Sequence, residues 1–180
     1  MNDEKLKLRE EIDYLKRYYK QSLFYKFRNS KDDILFKFLY YLRKEEYYSS
    51  SNNVFSKVLY YVYKIRKNKI GTSHGIEICA GSLGYGSVIS HLGNIVINGK
   101  SKIGTNCQIV GPLLLGSNDS GFPVVGNNCI LGYGSMIVGG VKVGDNSIVG
   151  AGAVVTKSFA HNSVIAGVPA KLIRINSKGK

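Results

Sequence analysis

His91 is the residue in this 180-residue chain best placed to move a proton. It follows Val88-Ile89-Ser90 and precedes Leu92-Gly93-Asn94, where the surrounding sequence loses its rhythm. A neutral imidazole, with an ordinary pKa of about 6.5, accepts a proton readily near pH 7. A positioned base of this kind contributes about 10²–10⁴-fold to a rate. Only three acids occur after residue 70: Glu77, Asp119 and Asp145. Asp145 sits in a Gly-Asp-Asn turn. Glu77 lies 14 residues before His91, so one coil of a repeat would stack it beneath the ring, where it would fix the tautomer and stabilise the imidazolium. A lone histidine in a β-rich chain is more often structural than catalytic, and His74 and His161 have that plainer setting. The second irregular stretch, Gly116-Ser117-Asn118-Asp119-Ser120-Gly121-Phe122-Pro123, reads as a loop that projects from a corner and covers a cleft containing His91.

The rhythm that these stretches interrupt has a period of six. Val125, Leu131, Ile137, Val143, Val149 and Val155 are evenly spaced, and Gly126, Gly132, Gly144 and Gly150 follow four of them. Ile97, Ile103, Ile109 and Leu115 keep the same interval, as do Leu83, Ile89 and Ile95. Neither an α-helix nor a simple strand has that period. Short strands separated by tight corners do, and three of them close a triangular coil of about 18 residues. Glycine fits a corner because a Cβ would obstruct its backbone.

Composition divides the chain. All 21 glycines and 3 prolines lie at or after Gly71, whereas 11 of 13 tyrosines lie before it. The expected organisation is a helical segment over 1–70, a solenoid over 71–175 and a tail over 176–180. Helices are expected over 4–20 (Leu8, Ile12, Leu15, Tyr19), over 31–48 (Ile34, Leu35, Phe38, Leu39, Leu42) and over 53–66 (Val54, Phe55, Val58, Leu59, Val62, Ile65). Ser30 is placed to cap the second, with Asp32 and Asp33 suiting its dipole. The three helices are expected to pack on each other, on the first coil and on partner subunits. Their Tyr- and Lys-rich faces give residues 1–70 a possible peripheral membrane contact.

The net charge of +13 invites an anionic partner, but no nucleic-acid-binding motif is present. No apolar run is long enough for a membrane span. The charged start MNDEKLKLREE has no signal core, so secretion is not expected. Cys79, Cys107 and Cys129 form no CxxC, and no metal site is expected. A cytoplasmic setting follows, at the inner face of the membrane if the helices bind it.

The stretch GIEICAGSLGYGSVISHLGNIVI, then KIGTNC, VVGNNCILGYGSMIVGGVKVGDNSIVGAGAVVTK and NSVIAGVPAKLIR, resembles the hexapeptide-repeat acyltransferases. The nearest branch is similar to serine acetyltransferase and its relatives in polysaccharide gene clusters, over about residues 71–175. The resemblance implies a left-handed parallel β-helix, an exception to the right-handed crossover rule, and a homotrimer with acetyl-CoA between neighbouring solenoids. It implies that His91 deprotonates the acceptor hydroxyl with support from Glu77. It implies acetyl-CoA contacts at Gly132, Tyr133, Gly134 and Ser135, at Gly150, Ala151 and Gly152, and at Lys171 for a CoA phosphate. On the acceptor side the candidates are Ser90, Asn94, Asp119 and Phe122. The serine enzymes carry Asp-His at the base and Arg-His-Pro in the loop, where this chain has Ser90-His91 and Gly121-Phe122-Pro123. A zwitterion needs charged partners, so these departures lead to the expectation of a sugar hydroxyl as acceptor, in exopolysaccharide, capsule or O-antigen assembly. Serine O-acetyltransferase is the alternative, and a non-catalytic trimeric scaffold the third reading.

Overall fold

The computed structural model describes residues 2–20, 30–51 and 53–176. It divides into two compact units, Met1–His74 and Gly75–Lys180.

The first unit holds α1 (Asn2–Lys20), α2 (Lys31–Ser49) and α3 (Val54–His74). In α1, Leu8, Ile12, Leu15 and Tyr19 are buried, as are Leu35, Phe38, Leu39 and Leu42 of α2. These two expected stripes are the packed ones. The Ser30 hydroxyl accepts a hydrogen bond from the Asp33 amide at 3.2 Å, capping α2. Arg43 is fully buried. Its Nε donates to Glu11 Oε1 at 3.0 Å and its Nη1 to Glu46 Oε2 at 2.9 Å, tying α2 to α1. Burial works against the guanidinium charge, but Glu46 and then Glu11 outweigh it and hold its pKa above the ordinary value. Lys67 Nζ lies 2.8 Å from Glu45 Oε2 and ties α3 to α2.

Two expectations for α3 need correction. The helix continues past residue 66 to His74, where Gly75 takes a left-handed φ of 70°. That conformation is the usual helix-ending device, so the solenoid opens at Gly75 rather than at residue 71. The buried face of α3 is also not the apolar one. Ser56, Lys67 and Gly71 are its buried residues, while Val54, Phe55, Val58 and Ile65 are exposed.

The second unit is a solenoid with three parallel walls. The first wall stacks β1 (Ile76–Ile78), β3 (Ile95–Ile97), β6 (Leu113–Gly116), β9 (Ser135–Val138) and β12 (Val154–Val155). The second stacks β4 (Lys102–Ile103), β7 (Val124–Val125) and β10 (Lys142–Val143). The third stacks β2 (Val88–Ile89), β5 (Gln108–Ile109), β8 (Ile130–Leu131), β11 (Ile148–Val149) and β13 (Ser163–Ala166); β14 (Lys171–Ile175) closes it by pairing antiparallel with β13.

The aliphatic residues of the six-residue ladder from Leu83 to Val155 all point inward and are buried. Glycines after them allow coils to approach: a Cβ on Gly104 would stand 2.6 Å from the Gly126 carbonyl carbon. The same corner, between the second and third walls, also uses asparagine. Asn106, Asn128, Asn146 and Asn162 all have φ between 55° and 59°, a region that asparagine tolerates best after glycine. Cys107 and Cys129 are buried, stacked one coil apart through the Cys129 amide to Cys107 Sγ contact of 3.4 Å.

Candidate active site

The corner between the third and first walls gathers most of the expected site residues. Each coil turns there just after its third-wall strand. Ser90-His91 follow β2, Val110-Gly111 follow β5, Gly132-Tyr133-Gly134 follow β8, and Gly150-Ala151-Gly152 follow β11. Backbone bonds stack these turns: Ser90 N to Ile109 O at 2.9 Å, Gly134 N to Pro112 O at 2.8 Å and Gly152 N to Tyr133 O at 2.9 Å. Lys171, paired with Ala166, ends the row and is exposed. With neighbouring strands about 4.8 Å apart and β14 five steps from β2 in the third wall, His91 and Lys171 are separated along this edge by about 24 Å. A long, thin ligand can lie along such an edge with a proton acceptor at one end and a cation at the other.

The sequence explains why this edge is open. Gly111 is covered by the Tyr133 ring, and a Cβ there would collide with it. Tyr133 itself remains 54% exposed. Gly152, with φ 65°, has nothing near the position a Cβ would occupy. The imidazole of His91 is exposed, and among the described residues it has no hydrogen-bond partner. Ser90 Oγ accepts a bond from Gln108 Nε2 at 2.9 Å, which fixes the residue before the base. Gln108 was missed at the level of sequence; its register, paired with Val88 one coil earlier, is the signal that would have found it. The corner bearing His91 is also longer than those above it. Inward-facing Ile89 and Ile97 are eight positions apart, whereas Leu131 and Ile137 are six apart, so the phase shift in the sequence is an enlarged turn.

Three expected residues stand elsewhere. Glu77 lies on the outer face of the first wall, directly across from Val96, and no hydrogen bond or ion pair joins it to His91. The expectation that it stacks beneath the ring fails because Glu77 belongs to a strand and His91 to a corner. Ser135 pairs with Leu113 at the first inward position of β9; it is fully buried, with its hydroxyl lacking a partner. Its side chain therefore does not face a ligand on the edge. Asn94 is exposed near the His91 turn, and its Oδ1 occupies the space a Cβ on Gly75 would need.

Asp119 and Phe122 lie at a different corner, between the first and second walls. Their segment is a tight turn rather than a flap. Asn118 and Gly121 pair with each other, at 3.2 and 2.9 Å, and Ser120 Oγ receives a bond from Gly140 N at 2.8 Å. Below, Asn98 Nδ2 reaches Ser117 Oγ at 3.4 Å. Lys100 Nζ sits 5.1 Å from the centroid of the Phe122 ring. The turn does not cover His91 of its own chain, since the two stand on separate edges of the solenoid.

A cavity of about 770 Å³ in the helical unit, lined by Leu8, Ile12, Lys44 and Tyr47 among others, contains none of the expected site residues. Among the described residues no group of three or more His, Cys, Asp or Glu side chains could hold a metal ion. Among them, too, no helix is long and apolar enough to cross a membrane.

Residues 122–157 match the family described as bacterial transferase hexapeptide (six repeats). Over 104 residues the chain is 33% identical to a serine acetyltransferase of Synechococcus elongatus, covering 55% of this chain and 43% of that protein. The chain thus spans less than half the length of this curated relative. Among solved structures, a Brucella abortus serine acetyltransferase aligns with a TM-score of 0.67 at 23% identity, covering 95% of this chain and 69% of that one. A serine acetyltransferase in complex with CoA aligns with a TM-score of 0.61 at 23% identity, covering 76% and 57%. The solenoid therefore has the hexapeptide-repeat, left-handed β-helix fold of these structures. These relatives overturn the expectation of a sugar acceptor in polysaccharide assembly, because they point to serine acetylation instead.

Proposed function

We propose that this hexapeptide-repeat β-helix protein is an acetyl-CoA-dependent O-acetyltransferase whose acceptor is the side-chain hydroxyl of serine. The observation that carries this reading is the shared edge: His91, Tyr133, Gly150-Ala151-Gly152 and Lys171 line one open corner in order. On it, the acetyl-CoA arm lies along the small residues Gly132, Gly134 and Gly152, and Lys171 meets a CoA phosphate. The thioester then sits near His91. The imidazole takes the proton from the acceptor hydroxyl as the oxygen attacks the acyl carbon, and the CoA sulfur leaves. Direct transfer needs no enzyme nucleophile.

A serine acceptor needs a cation for its carboxylate and an anion for its ammonium. The corner between the first and second walls provides both charges, Lys100 from the turn one coil below and Asp119 from the tight turn itself. Lys100 stands over Phe122, and Asp119 is exposed in the same turn. Lys100 replaces the cationic loop residue that the sequence lacks at Gly121-Phe122. Because that turn and His91 occupy separate edges of one protomer, the complete site requires a neighbour to bring its turn against the His91 edge. A homotrimer of parallel solenoids meets this need. Ser90 and Asn94, flanking His91, then face the acceptor. Glu77 on the outer wall acts at most on the positioning of this edge. Acetyl-CoA as donor and three free cysteines suit a cytoplasmic setting.

The test is thiol release from acetyl-CoA by the full-length protein with L-serine as acceptor. Turnover saturating in L-serine is expected, with Lys100→Ala raising KM for serine and leaving acetyl-CoA affinity intact. Absence of acetyl-CoA binding overturns the enzyme reading. Binding without turnover on L-serine overturns the acceptor.

A further inference from the structure

The helix α3 carries its most apolar face outward. Val54 is 80% exposed, Phe55 71%, Val58 55%, Tyr61 61% and Ile65 66%. Val54, Val58, Tyr61 and Ile65 follow one another at intervals of four, three and four, which makes a single stripe along a helix. The opposite face holds α3 to α2 through polar and aromatic contacts. Lys67 meets Glu45 at 2.8 Å, and the Tyr63 ring stacks on Tyr48 with centroids 5.6 Å apart. An inside that is more polar than the outside is the reverse of what a water-facing helix shows, and an apolar patch of this kind marks a contact surface.

The charges beside the stripe identify what it contacts. No acid occurs anywhere in α3, while Lys57, Arg66 and Lys69 are exposed along its length. Lys64 Nζ is turned onto the Tyr60 hydroxyl at 3.1 Å. A second copy of α3 laid on the stripe would set one lysine rim against another with no carboxylate to answer it. Phospholipid headgroups supply the missing anions, Tyr61 is a side chain that settles at the headgroup level, and Phe55 suits the apolar face below it. A basic rim around an apolar stripe on a helix too polar to span is the pattern of a helix lying in the membrane interface. We infer that α3 docks this protein onto an anionic membrane surface through Val54, Phe55, Val58, Tyr61 and Ile65, with Lys57, Arg66 and Lys69 on the headgroups. The inference is independent of the acceptor and of the acyl donor.

The experiment is co-sedimentation of the full-length chain with vesicles of phosphatidylcholine alone or with about one-third phosphatidylglycerol. Binding to the anionic vesicles is expected to be at least about tenfold stronger, and raised salt weakens it. The double variant Val58→Ser, Ile65→Ser and the single Lys57→Glu each reduce partitioning by about fivefold or more, with helix content by circular dichroism and acetyl-CoA binding unchanged. Equal binding to both vesicle types overturns the inference, as does absence of binding. If the double variant leaves vesicle binding intact but shifts the oligomer size on gel filtration, the stripe is a contact between copies and the inference also fails.

Discussion

The two units of this chain are held together by opposite devices. In the solenoid, aliphatic side chains fill the interior at every sixth position, and ionic contacts contribute nothing to that interior. In the helical unit, a buried arginine bridges two glutamates and a lysine meets a third, while an apolar face is left in water. The first device repeats, so each coil is stabilised by its neighbours alone. The second depends on single residues whose loss strands a buried charge. The proposed chemistry of the solenoid falls where repetition slips, at the enlarged His91 corner and at the Asp119 turn. The helical unit, with no repeat to interrupt, offers a surface instead.

This contrast can be broken or sharpened by experiment. His91→Ala should produce the largest change, lowering acetyl transfer by about 10²–10⁴-fold while leaving acetyl-CoA binding and both unfolding transitions in place. A smaller loss in steady-state assays would remove the base from His91. Arg43→Met should destabilise the helical unit by about 3–5 kcal/mol, because buried Glu11 and half-buried Glu46 lose the guanidinium that bridges them. Calorimetry should then show the solenoid transition unmoved; a joint shift would mean the units are not separable. Leu131→Ala, at a fully buried rung, should cost the solenoid about 2–5 kcal/mol in the reciprocal pattern. Glu77→Gln should change turnover by less than about tenfold, since Glu77 stands across from Val96 and not against the imidazole. The mildest test is thiol labelling of the native protein. Cys79 is exposed and should react first. The Cys129 thiol is pushed up far beyond the ordinary range by its hydrogen bond to Cys107 and by burial, so it should react only on unfolding.

Much of the solenoid was legible because its physics is periodic. A rung at every sixth residue specifies what points inward whatever the surroundings, and the positions from Leu83 to Val155 follow that rule. Handedness was not legible from period, since either hand places the same residues inside; it came with the family likeness. The errors in the site arose where a corner passes into a strand. Ser135 lies one position after the turn that begins at Gly132, and it takes the inward place that Leu113 holds one coil below. Sequence distance from His91 suggests a corner position for Glu77, yet Glu77 belongs to a wall. In α3 an amphipathic pattern marks an apolar stripe but carries no information on whether protein or another medium meets it. The buried side of α3 is read only from its partners, Glu45 and Tyr48.

The reversed direction of β14 has a consequence for assembly. Parallel coils are in principle extendable, because the last one exposes the same pattern of amides and carbonyls that the earlier ones use to bind each other. Here β14 runs against β13, so a further parallel coil finds no matching ladder to continue on the third wall. Head-to-tail stacking along that wall is thus blocked by five residues of reversed backbone.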